Sequence, residues 1–273
     1  MKSDRVMKHI TEVNSGLPQV GGAELLDGPA KDTEKPLPLR ALLTRPVVVS
    51  VANYGVIGML DVIAGALIPL VWSTSVEFGG LSMSPASIGL WMAGFGFMNG
   101  IFQFAAFPRT VGRFGLRRVF LASILCFFPV FILFPFENLA LRHSSRPTTG
   151  LLIALQLSAI SFADMGFSKL PLTFFLRATT EGVSDRLGVI FVYISAAAPN
   201  KRSLGATNGI AQMVVSIQRA VGPAAAASLF AFSLDHNILG GNFAYVGLLA
   251  IVCVGLGVAL QLPKNTWKHD DEQ

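Results

Sequence analysis

Three formally charged side chains lie well inside long apolar runs of this sequence: Asp61, Asp164 and Arg219. On insertion scales a charge at the centre of a bilayer costs about 2.5–3.5 kcal/mol, so residues of this kind need a partner and are functional candidates. A carboxylate in such surroundings either takes up a proton or is held ionised by a cation, and both states suit proton coupling. Arg219 needs a carboxylate, backbone carbonyls or a wet cavity, and it is a candidate partner for one of the two aspartates. At helical spacing Asn208, Gln212 and Arg219 share a face with Ser216 close by, since offsets of four, eight and eleven return near the same direction. The stripe is expected to face the bundle interior. There it either lines a solute path or makes interhelical hydrogen bonds of about 0.6 kcal/mol per pair. Asn53, Asn99, Gln103 and Gln156 are read as polar packing groups.

Other chemistries find no residues to carry them. The histidines, His9, His143, His236 and His269, lie outside the apolar runs, and no clustered ligand set for a metal oxidase forms from them. No G-x-x-x-x-G-K-[ST] phosphate loop is present, so ATP is not the expected energy source. No cofactor, metal or enzymatic activity is expected. Cys126 and Cys253 sit in apolar runs, where a thiol packs as a small hydrophobe.

These side chains must be positioned by the apolar runs themselves. The chain has 273 residues, 52% hydrophobic and only 14% charged, against about 25% charged in soluble domains. A bilayer core of about 30 Å needs about 20 apolar helical residues. Six runs meet that length, at 46–72, 85–107, 116–136, 149–167, 206–232 and 239–262. The expected fold is therefore all-α, a polytopic bundle of six transmembrane helices. Gly96 and Gly100, Gly205 and Gly209, and the pairs Gly55/Gly58 and Gly255/Gly257 are expected to let helices approach closely.

Orientation follows from Lys and Arg in the short connections. Arg40 and Arg45 precede the first run, Arg109, Arg113, Arg117 and Arg118 follow the second, Lys201 and Arg202 precede the fifth, and Lys264 and Lys268 follow the sixth. All fall on one side if the runs alternate, whereas the opposite connections hold only Arg142 and Arg146. Both termini are expected in the cytoplasm, in a plasma or vacuolar membrane. Residues 1–45 read as a cytoplasmic, solvated segment without a cleavable signal peptide, and 263–273 as a cytoplasmic tail. The net charge of +5 is spread between runs rather than gathered in one stripe, so nucleic acid is not an expected partner.

The connection at 108–118, PRTVGRFGLRR, resembles the inter-helix motif of the major facilitator superfamily, a glycine, three residues, then Asp-Arg-x-Gly-x-Arg-Arg. Arg113, Gly115, Arg117 and Arg118 match it, while Pro108 and Gly112 stand in place of its first glycine and aspartate. Residues 198–212, APNKRSLGATNGIAQ, followed by Arg219-Ala-Val-Gly-Pro223, resemble the eleventh helix of fungal and plant facilitators of the drug:proton antiporter type, including the zinc-induced facilitator-like group. The stretch 37–46, LPLRALLTRP, is similar to the approach to their seventh helix.

The resemblance implies the C-terminal half of a twelve-helix fold that moves a small solute, with proton coupling, by alternating access about a midplane site. Met1 then falls where the family has its central loop, and an incomplete or degraded gene is the expected account. The chain would require a separate N-terminal six-helix half to transport; the alternative is a six-helix membrane scaffold or regulatory partner. A charged stretch, about 169–188, holding Lys169, Arg177, Glu181, Asp185 and Arg186, interrupts the fourth run before apolar sequence resumes at Val189. Residues 169–187 read as a translated intron, because Ser168-Lys169 and Leu187-Gly188 are encodable as splice donor and acceptor in frame. The alternative is a genuine cytoplasmic insertion, which places 190–198 at the membrane interface.

Overall fold

The computed structural model describes residues 39–143, 146–167, 189–200 and 203–263, all within the compact unit Leu37–Gln273. The leading segment, the 169–188 insertion and most of the tail lie outside the described residues. The described residues form helices α1 (Leu39–Leu42), α2 (Arg45–Ser73), α3 (Pro85–Phe114), α4 (Leu116–Leu125), α5 (Phe127–Arg142), α6 (Arg146–Phe167), α7 (Val189–Ala197), α8 (Leu204–Asp235) and α9 (Phe243–Ala259), with no strand among them. Five spans are long and apolar enough to cross a bilayer: α2, α3, α4 with α5, α6, and α8. The sixth, α9, is a shorter apolar helix of 17 residues, near the lower limit for crossing.

Helix α2 is the axis of the bundle. Pro46 sits in its first turn, where a missing N–H costs nothing. Its buried residues, from Val47 through Asn53, Tyr54, Ile57 and Leu60 to Trp72, fall on every side, as expected of a helix surrounded by others. Helix α8 packs along it most extensively, and α7, α9 and α6 complete the ring. Helix α3 is peripheral: its one buried residue is Gln103, and Leu90, Phe97 and Met98 are exposed. A surface of that kind suits acyl chains rather than water.

Helix boundaries differ from the apolar runs in three places, each with a local cause. The helix that opens at Pro85 continues through Pro108 to Phe114, two turns beyond the expected end at Phe107, and the connection that follows is Gly115 alone. Gly115 has φ +79°, ψ 157°, a region closed to residues with a Cβ, so the reversal depends on glycine. The third span breaks at Cys126. Pro129 has no N–H for the Leu125 carbonyl and its ring crowds that turn. The last helix starts at Phe243 rather than Leu239, because Asn237, Leu239, Gly240 and Gly241 all have positive φ.

Close helix contact is made at glycines, though not at all those expected. A Cβ on Gly166 would lie 2.5 Å from Ile57 and 2.7 Å from Ser123 Cβ, and one on Gly255 2.5 Å from Val56. Gly55 and Gly222 hold α2 against α8. By contrast Gly96, Gly100, Gly205, Gly209 and Gly257 face open space within this chain. The GxxxG pairs therefore do not mediate packing among the described helices.

Helices α6 and α7 flank the insertion. Both pack on α2 and α4, and together they match α3 or α8 in length. In α7 Ile190, Tyr193 and Ile194 are fully buried, and Ser50 Oγ donates to the Tyr193 carbonyl at 3.4 Å. This segment is packed into the bundle, where its apolar residues fill the space between α2, α4 and α8.

Overpacking a tight contact costs about 1–3 kcal/mol. Gly166→Val is expected to lower the thermal midpoint of the detergent-solubilised protein, and Gly257→Val to leave it unchanged. Equal midpoints in the two variants would contradict the packing described here.

Candidate functional site

The α2–α8 seam carries the first group of sequence candidates. A Cβ on Gly55 would meet Gln218 Nε2 at 3.1 Å and Val214 at 3.3 Å, and Gly222 faces Val62 and Ile63, so the helices run parallel in close contact. The interior face of α8 is accordingly small or compact: Thr207, Ala211, Val215, Gly222 and Ala226. This leaves the polar stripe on the shoulder of the helix. Gln212, Ser216 and Arg219 are exposed and Asn208 is half-buried. The stripe was expected to turn inward; within this chain it lies at the bundle surface, because small side chains occupy the seam.

The stripe nevertheless reaches α2 at one point. Gln212 Nε2 donates to the Tyr54 hydroxyl at 3.1 Å, a separation of 158 positions. The same separation sets Asp61 level with Arg219 along the parallel pair. Asp61 and Arg219 each have an interaction partner, and the Arg219 charge acts on Tyr54. The Asn208 amide oxygen is buried and accepts no hydrogen bond. Tyr54, which the sequence reading passed over, is thus the link between the two helices. Its ring packs 5.1 Å from Phe191 of α7.

Asp164 belongs to a second group, on α3 and α6. Asn99 Nδ2 donates to Asp164 Oδ2 at 2.8 Å, and Gln103 Nε2 donates to the Ser161 carbonyl at 2.9 Å and to Asn99 Oδ1 at 3.5 Å. These residues hold the otherwise peripheral α3 to α6. Asn99, read from the sequence as a packing group, is a partner of Asp164, and Gln103, read likewise, bonds to Asn99.

The residues of the 108–118 motif gather at one, basic, end of the bundle. Arg117 Nη2 donates to the Leu260 carbonyl at 2.9 Å, just past the end of α9, where a cation also meets the negative end of the helix dipole. Arg113 stands 5.6 Å from the Phe114 ring, Gly115 makes the reversal, and Arg118 lines a small apolar cleft with Phe114 and Phe162. This end is a clamp between the α3–α4 turn and the end of α9.

One ionisable residue escaped the sequence reading. Glu137 lies in α5 and is 0% exposed, with neither carboxyl oxygen hydrogen-bonded. The third run was closed at Phe136, although Leu139, Ala140 and Leu141 continue the apolar pattern beyond Glu137. That continuation was the available signal. Next to it, Asn138 Nδ2 donates to the Val76 and Gly80 carbonyls at 3.0 and 2.7 Å, and Arg142 to those of Val76 and Glu77, tying down the 74–83 connection. Among the described residues no three His, Cys, Asp or Glu side chains converge on a metal position.

Comparison with known proteins gives the family context. No protein-family model matches the chain, and no solved structure matches it. Over 246 residues it is 26% identical to the major facilitator-type transporter psiT2 of Psilocybe cyanescens, covering 87% of this chain and 43% of that protein. The psiT2 transporter of Psilocybe cubensis is 27% identical over 242 residues, 85% of this chain and 43% of its own length. The major facilitator superfamily multidrug transporter mfsB of Aspergillus fumigatus is 28% identical over 204 residues, 71% of this chain and 30% of its own. The chain is an integral, multi-pass membrane protein and a relative of the major facilitator-type transporters, and it spans less than half the length of the curated relatives it matches.

Proposed function

We propose that this chain is the C-terminal half of a proton-coupled transporter of small organic solutes, and that it transports only when an N-terminal six-helix half covers its polar face. The observation that carries this reading is the exposed stripe of Gln212, Ser216 and Arg219 on a helix long enough to cross the membrane. Gln212 and Arg219 have partners in this chain, but their exposed polar surface is costly against hydrocarbon and is better met by protein or a water-filled path. Gly96 and Gly100 on α3 and Gly205 and Gly209 on α8 also face open space, and small residues of this spacing favour close docking of further helices. Helix α8 thus presents both the polar lining and docking glycines.

In this reading Asp61 and Arg219 are the polar pair of the midplane path, with Tyr54, Asn208 and Gln212 as hydrogen-bonding groups for the solute. Asp164, held by Asn99, serves as a second carboxylate closer to the cytoplasm. The cluster of Arg109, Arg113, Arg117 and Arg118 faces the cytoplasm, as the positive-inside bias requires. Arg117, locked to the end of α9, stabilises the cytoplasmic ends of the helices. The printed name of the Aspergillus fumigatus relative, a multidrug transporter, supports organic molecules as the solute class.

The direct test is reconstitution into liposomes, with an internal pH dye reporting protons and with ethidium and fluorescein as cationic and anionic probes. The purified chain alone is expected to give no flux, and flux is expected on co-reconstitution with the complementary six helices of a matched relative. Flux from the chain alone would contradict the half-transporter reading. No flux in either arrangement would favour a scaffold or regulatory partner instead. In the assembled pair, Asp61→Asn and Arg219→Gln are each expected to lower flux about tenfold or more, equivalent to about 1.4 kcal/mol. Unchanged flux in both variants would remove these residues from the path.

A further inference from the structure

At the end of the bundle opposite the basic loops, the last turns of α5 and the connections 74–83 and 236–242 surround a cavity of ≈ 370 Å³. Asn138, Arg142, Asn242 and Tyr245 contribute to its wall. Tyr245, 5% exposed, lines this cavity and stacks on Phe134 of α5 at 5.3 Å, one turn before Glu137. From α2 the Trp72 indole N–H approaches the Glu137 carboxyl, and both groups are fully buried.

We propose that Glu137 is a proton-binding site that exchanges its proton with the cavity past Tyr245. Among the described residues no cation pairs with this carboxyl. Of the elements packed on α5, α9 presents Tyr245 and α2 presents Trp72; α6 carries ionisable groups only at its ends, in Arg146 and Asp164, and α4 only at its far end, in Arg117 and Arg118. The 3-10 segment Val76–Phe78 contributes Glu77, which is exposed, and on α5 itself Arg142 is turned to the loop carbonyls of Val76 and Glu77.

A sealed carboxyl with no cation beside it is costly to ionise and favours its protonated form. It can give up that proton only when water or another acceptor reaches it. The cavity supplies the water, and the Tyr245 hydroxyl, able to donate and accept, is the group placed to relay it. The path is short and local. It lies away from the Asp61–Arg219 level, so loading from the outer face and solute contact at the midplane occupy different parts of the bundle.

This assignment rests on the proton coupling proposed above, and its test is kept separate from transport. Infrared spectra of the full chain in lipid nanodiscs, recorded across a pH series, are expected to show a protonated carboxyl C=O band that disappears reversibly as pH rises. The band should be lost in E137Q, shifted in W72F and retained in D61N and D164N. Y245F should slow its deuteration. A band that survives in E137Q, or one that does not change with pH, would overturn the proposal. Should E137Q fail to fold, W72F decides, and an unshifted band is then the contrary result. Absence of proton flux with the band intact would sink the coupling and leave the site. Persistence of flux with no such band would sink the site alone.

Discussion

Hydrocarbon neither accepts nor donates hydrogen bonds, and every polar side chain placed along a span of this protein is arranged around that fact. Within the bundle, side-chain amides and hydroxyls turn to backbone carbonyls of neighbouring helices. Asn53 donates to the carbonyls of Val49 and Val258, Gln156 to that of Val130 and Ser123 to that of Phe162. Each links two helices or caps one turn, as lipid-embedded helices require where no hydrophobic drive brings them together. The Asn99–Asp164 bond performs the same task for a charged residue. On α8 Gln212 and Arg219 have partners within this chain yet stay exposed on a helix long enough to span a bilayer, and that exposure carries the functional reading.

Packing around α2 explains why the stripe is where it is. The parallel contact of α2 and α8 needs Gly55 and Gly222 at the points of closest approach and compact residues between them. With the seam filled by Ala211, Val215 and Ala226, the longer side chains of Gln212 and Arg219 project to its edge. From α2, Tyr54 spans the gap to meet Gln212. The same logic applies at the basic end, where Gly115 permits an abrupt reversal and brings Arg117 to the carbonyl of Leu260.

Much of this arrangement is legible in the residue order, because exclusion of charge from lipid acts on composition directly. The apolar runs located the spans, and the separation of Asp61, Asp164 and Arg219 from all other charges within those runs marked residues that do make polar partners. What escaped depends on geometry. Asn237 and Leu239 adopt positive φ and delay the start of α9, a conformation that their types do not announce. Pro108 passes without ending its helix. Glu137 lay one residue past the edge of a run drawn by hydropathy, and its complete burial arises from α2 and α9 closing over it. The open surroundings of Gly96 and Gly205 likewise follow from which neighbours each helix has, which spacing alone does not specify.

The central claim is that the Gln212–Arg219 face of α8 is covered in the membrane by something other than lipid. With Cys126 and Cys253 replaced by alanine, a bimane fluorophore at Ser216→Cys is compared with one at Ile217→Cys in native membranes supplemented with brominated lipid. The account predicts strong quenching at 217 and little at 216. Equal quenching at both positions would place the polar stripe against acyl chains and contradict it.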